Sequence, residues 1–183
     1  MAIHPDLKSL IRESVPEYLH VVEYCVNFKK DSVWGNQQVG GCLGCPAAVM
    51  LFSIVDTIGS FYRGRTDLRI EISGTLVQIR RDGHQHFYIL NSEYYGQSLD
   101  EPTIKKLYEN FRSLLVHNAS LAPSSILLHD PEQAALFPKV GGGLVVNLPA
   151  FLAKSREAAK QFLDRLDQIV PCSQQATNIA RKR

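Results

Sequence analysis

Apolar positions recur at helical spacing over much of this chain, and the clearest instance lies between Asp100 and Leu121. Ile104, Leu107, Tyr108, Phe111, Leu114 and Leu115 repeat at i, i+3 and i+4, which gathers them on one side of a helix. Its start is marked as well. Asp100 can cap free backbone N–H groups, Pro102 suits the first turn, and Glu101 complements the positive helix end. At about 100° per residue, Glu109, Ser113 and Val116 fall opposite the apolar stripe, flanked by Arg112 and His117. Both of these groups are expected to point away from the helix's own core, whereas Asn118 falls back towards the apolar face.

The rest of the pattern predicts a mainly α protein, a helical bundle with a small β-ribbon before the last helix. Residues 5–30 read as helix in two pieces, because Pro16 interrupts the pattern. Residues 31–45 are a glycine-rich loop. Residues 46–63 are apolar nearly all round, as in a central helix covered by several neighbours, and their only acid, Asp56, needs a partner there. In RIEISGTLVQIRRDGHQHFYIL, β-branched and aromatic residues flank Asp82-Gly83 and permit a hairpin turning at that dipeptide. The runs Ile126–Leu128 and Leu144–Val146 suggest a two-stranded ribbon, with Gly141–Gly143 as a turn. A final helix covers 149–169 and stops at Pro171. Residues 1–171 form one domain in this reading, and the polar tail 172–183, ending in Arg-Lys-Arg, is expected to be unstructured.

Composition narrows the function classes without choosing one. Of 183 residues, 45% are apolar and 21% charged, the balance of an ordinary soluble globular protein. A net charge of +2 is too small to announce a nucleic-acid binder by bulk electrostatics, so any such role must rest on a local patch. One candidate is the basic group of Arg80 and Arg81 with His84 and His86, either a solvated turn or a contact for RNA phosphate. MAIHPDLKSL lacks a basic segment followed by an apolar one, and no apolar run approaches the ~20 residues of a membrane span. The expectation is a cytoplasmic protein with no membrane contact. Four cysteines do not make a disulfide scaffold. Cys42 and Cys45 form a C-x-x-C ahead of a helix, where a thiol would be activated, but Cys25 and Cys172 supply no second metal-ligand pair. Structural packing or helix capping is their expected role, and a metal or redox protein using Cys42 and Cys45 stays open as an alternative reading; the expectation is no cofactor and no metal.

The segment RSLLVH, Arg112 to His117, resembles the R-x4-6-H motif of the HEPN-domain superfamily, helical bundles that include many metal-independent ribonucleases. LYENFRSLLVHNASL is similar to a late helix of such proteins, and GGGLVVNLPAFLAKSREAAKQFLDRL to the short connection and final helix that come after it; the resemblance also implies helix near Phe87 to Leu90, an alternative to the hairpin at Asp82-Gly83. The resemblance implies an endoribonuclease whose two protomers bring both motifs to one composite site in a homodimer. It implies cleavage to a cyclic phosphate and a free 5′-hydroxyl, in a toxin or phage-defence setting restrained by an antitoxin protein. Arg112 and His117 would be the catalytic pair, with Ser113, Asn118 and Asp56 in support. Histidine exchanges protons near neutral pH, and arginine holds phosphate oxygens with two donors. Active members often carry Asn, Asp or His directly after the arginine, and this chain departs with Ser113. That departure keeps a second reading open, an inactive module of the same fold that binds RNA, a nucleotide or a protein. Helix chemistry alone offers a third account: His117 offsets the dipole of a helix end, and Asn118 stops the helix.

Overall fold

The computed structural model describes residues 6–35 and 39–182, and its chain is organised around α2 (Gly44–Phe61). This helix has no polar face to spare. Leu51, Phe52, Ile54, Val55 and Ile58 are all fully buried. By length and composition alone α2 is apolar enough to cross a membrane, contrary to the expectation from run length, yet over half of it is buried by the rest of the fold. Phe52 supplies the centre of the core. Its ring stacks on Phe87 and Phe111 at centroid distances of 5.5 and 5.7 Å and meets Phe151 edge-on at 5.0 Å. These offset and edge contacts suit aromatic quadrupoles, and they tie three other elements to α2 through one side chain.

Helix α1 (Leu7–Asn27) runs unbroken through Pro16, where two pieces were expected. Proline removes one intrahelical hydrogen bond, and burial of Ile11, Val15, Val22, Cys25 and Val26 along one face outweighs that loss. A hairpin comes after α2, but not at Asp82-Gly83. Strands β1 (Ile70–Ile72) and β2 (Thr75–Val77) pair antiparallel around Ser73 and Gly74, with φ of 50° and 79°. Two left-handed residues are what a two-residue hairpin turn demands. Asp82 and Gly83 instead open a 3-10 helix, Gly83–Asn91. Its consecutive residues His86–Leu90 are buried, so this segment serves the core rather than a two-faced strand.

Glycine at position 59 makes that placement possible. A Cβ there would lie 2.0 Å from the carbonyl oxygen of His86, so α2 and the 3-10 helix touch backbone to backbone. Next come α3 (Glu101–Leu107), a π-helical turn (Tyr108–Ser113) and α4 (Leu114–Asn118), which form one continuous rod because the backbone stays right-handed at both junctions. Asp100 caps it, accepting the Thr103 N–H at 2.9 Å. Ala119 ends it in the left-handed conformation, φ 51°.

The two apolar runs after α4 do pair, as β3 (Ser125–Leu128) and β5 (Gly143–Asn147), with Ile126 opposite Val145. They run parallel, and β4 (Lys139–Val140) adds an antiparallel edge to β5 through a turn at Gly141 and Gly142. Helices α5 (Leu148–Asp164) and α6 (Leu166–Ile169) come directly after the sheet. The tail is not unstructured: Gln174–Lys182 forms α7, which rests on the core through Ala176 and Ile179, three residues apart on one face. The architecture is mainly α with a small β-ribbon before the long helix α5. Residues 1–5, on which the leader expectation bears, residues 36–38 of the loop, and the side chains of the basic end lie outside the described residues.

Candidate functional site

Asp56 has the partner that its place on an apolar helix requires. Its Oδ1 lies 2.7 Å from Nδ1 of His86, and its Oδ2 stands 3.5 Å from Nη2 of Arg112. Three elements meet here: α2 carries the carboxylate, the 3-10 helix the imidazole, and the π turn the guanidinium. The close approach at Gly59 sets the distance between the first two. The cluster extends outwards, because Nε2 of His86 is 3.4 Å from Oδ1 of Asp82, which also pairs with Arg63. Acidic and basic side chains therefore alternate across the gap between α2, the 3-10 helix and the π turn.

This network is incompletely satisfied. Among the described residues, four buried side-chain nitrogen or oxygen atoms lack a hydrogen-bond partner: Nε of Arg63, Nε2 of His86, Nε of Arg112 and Oγ of Ser173. Three of the four belong to the one cluster. A buried donor without a partner costs about 1–3 kcal/mol, and such groups concentrate where function opposes stability. Position matters as well. The side chains of Asp56 and Arg112 are 27% and 25% exposed, so the pair is screened from bulk water yet reachable by a ligand.

Arg112 does not simply face solvent, as continuous helical spacing had it. The π turn spends an extra residue and changes the phase of the residues after it, and the arginine lies against α2. Ser113 beside it is half-buried. Val116 and His117 are exposed as expected, and His117 makes no hydrogen bond or ion pair, with Arg112 or any other described residue. Asn118 is exposed rather than turned towards the apolar side, again because of the shifted phase. Arg80 and Arg81 present exposed side chains without an ion pair among the described residues, while both backbone N–H groups donate to Oε1 of Gln85, at 3.0 and 2.8 Å. They flank Asp82, so the basic group and the Asp56 cluster are neighbours.

The sequence grouped His86 with the basic residues near Asp82-Gly83 and did not show its place beside Asp56. Arg81 and His86 also stand in an R-x4-H relation, and their closeness to Asp82-Gly83 assigned them to a turn. The signal available was the apolar run Phe87–Leu90 next to it, which draws its neighbour inwards. Beside the cluster, Tyr88 donates to Oε1 of Glu101 at 2.5 Å, and burial together with that carboxylate pushes its hydroxyl up to about 12.

The cysteines form no comparable centre. Cys25 is buried, Cys42 half-buried, and Cys45 and Cys172 exposed. Burial raises the Cys42 thiol, the direction opposite to helix-end activation. Among the described residues no three His, Cys, Asp or Glu side chains gather as a metal site would need. Comparison with protein-family models, with curated proteins and with solved structures finds no match for this chain.

Proposed function

We propose that this protein is a metal-independent endoribonuclease of the HEPN type, acting as a homodimer in the cytoplasm. The observation that carries the proposal is the half-buried Arg112, steadied by Asp56 and His86, five positions before the exposed His117 on one rod. Arg112 would neutralise the scissile phosphate while Asp56 fixes its direction. His117 would take the 2′-hydroxyl proton; attack of that oxygen on phosphorus would break the P–O5′ bond, and the departing 5′-oxygen would take a proton from water, leaving a 2′,3′-cyclic phosphate and a free 5′-hydroxyl. One copy supplies one cation and one imidazole. A second protomer docked over Val116, an apolar side chain 43% exposed, would bring a second pair to the same phosphate. The exposed Arg80 and Arg81 would hold the flanking RNA backbone. A toxin or phage-defence role with a restraining antitoxin accompanies this reading.

A second reading draws on one observation. Asp56 already neutralises Arg112 within the chain, and His117 touches neither residue, as in a module that binds RNA or protein without cutting. Substrate chemistry separates the two. A single-stranded RNA incubated with the protein in EDTA should yield cyclic-phosphate ends, and the same oligonucleotide with 2′-deoxy sugars should bind but remain whole. Binding of both without cleavage of either would establish the second reading.

A further inference from the structure

A cleft of about 650 Å³ opens between α3, the loop after α4, and the β4–β5 turn. That volume lies within the range of small-ligand sites, roughly 300–1,000 Å³. Two lysines stand in its lining, Lys106 from α3 and Lys139 from β4. Neither makes a salt bridge among the described residues, and both are exposed. The one acid in the lining, Asp100, is engaged by capping α3, and hydrogen bonds to Thr103 hold its carboxyl below the ordinary range. The charges of Lys106 and Lys139 lower it further, and both lysines line the same cleft.

The rest of the lining is complementary to a phosphate with an apolar body. Ser124 and Asn110 offer neutral donors, and Asn110 is steadied by donating to Oγ of Ser125 at 3.2 Å. Gly142, at the β4–β5 turn, adopts a φ of 76° with open space where a side chain would stand, so the lining leaves its backbone uncovered there. Phe137 is fixed by an edge contact with Phe151 at 5.6 Å and gives the cleft an aromatic wall. A phosphomonoester carries nearly two negative charges at neutral pH and three strong acceptors, which matches two unpaired ammonium groups and adjacent donors.

We propose that this cleft binds a small phosphomonoester with an aromatic or apolar body, Lys106 and Lys139 contacting the phosphate and Phe137 the body. The site shares no residue with the Asp56 cluster and does not depend on the ribonuclease reading. Titration calorimetry of the full chain with phenyl phosphate tests it, with phenol, inorganic phosphate and a short single-stranded RNA as separate probes. Phenyl phosphate should bind more tightly than phenol or inorganic phosphate. Lys106→Glu with Lys139→Glu should weaken it by about tenfold or more, and Lys105→Glu on the same helix should leave it unchanged. Thermal unfolding of the variants checks their fold, and Phe137→Leu, which keeps an apolar wall, should weaken phenyl phosphate but not inorganic phosphate. Three results would overturn the proposal: no binding of phenyl phosphate, equal binding by the double-lysine variant, or RNA binding that alone depends on these lysines.

Discussion

Asp56 on α2 and Arg112 on the π turn face each other at 3.5 Å, and the second oxygen of the same carboxylate is held by His86 at 2.7 Å. The carboxylate thus sets the direction of the arginine, and the imidazole sets the direction of the carboxylate. Asp56→Asn keeps the shape and removes the charge. It should lower stability by about 1–2 kcal/mol, between the values of exposed and buried ion pairs because both side chains are about a quarter exposed. Urea unfolding measures this, and a loss below a few tenths of a kcal/mol would show that the pair does not steady the site.

Gly59→Ala tests the contact that positions His86. The added methyl would meet the His86 carbonyl oxygen at 2.0 Å, and two backbones cannot yield as a flexible side chain does. A destabilisation of about 1–3 kcal/mol is expected, together with loss of the His86–Asp56 hydrogen bond. Histidine NMR reads the second effect directly. An unchanged imidazole spectrum in the variant would separate the glycine from the site.

Pro16 lies exposed inside α1, so replacing it restores a backbone hydrogen bond without disturbing the core. Pro16→Ala should raise stability by about 1–3 kcal/mol in thermal or urea unfolding. No gain would mean that α1 is kinked or frayed around this residue in solution.

Alkaline pH probes the tyrosine cluster. Burial raises Tyr62, Tyr94 and Tyr95, and burial with the Glu101 carboxylate raises Tyr88 to about 12. When the folded value is raised, stability is intact below the unfolded value of about 10 and falls as pH rises towards the folded one. The Tyr88 share is lost between about pH 10 and about pH 12. Tyr88→Phe should therefore lose stability less steeply than the wild type over that window, as followed by urea unfolding at successive pH values. Parallel profiles would contradict the assignment.

Much of this fold was legible because its pattern had one explanation. The spacing of Ile104, Leu107, Phe111 and Leu115 required a helix, and all four are buried. The same spacing tolerates a π turn, since an extra residue between apolar contacts leaves the stripe readable while shifting Arg112 and Asn118. Ser73-Gly74 and Asp82-Gly83 are both turn signals. Which one closes the hairpin depended on whether His86–Leu90 pack against α2, a tertiary fact. Asp56 was recognisable as a carboxylate needing a partner, and its partners were not, because they come from distant segments joined only by tertiary packing, at Gly59 for His86 and through Phe52 and Phe111 for Arg112.

The proposed ribonuclease would cleave RNA with Arg112 and His117 and without a metal. The direct measurement is cleavage of single-stranded RNA in EDTA by the wild type, Arg112→Ala and His117→Ala, with the fold and oligomeric state of each verified. A wild-type dimer should cleave, and each folded variant should lose about 10²-fold or more of that rate. A well-folded wild-type dimer that leaves varied RNAs intact, or a His117→Ala variant that cuts at the wild-type rate, would contradict the proposal.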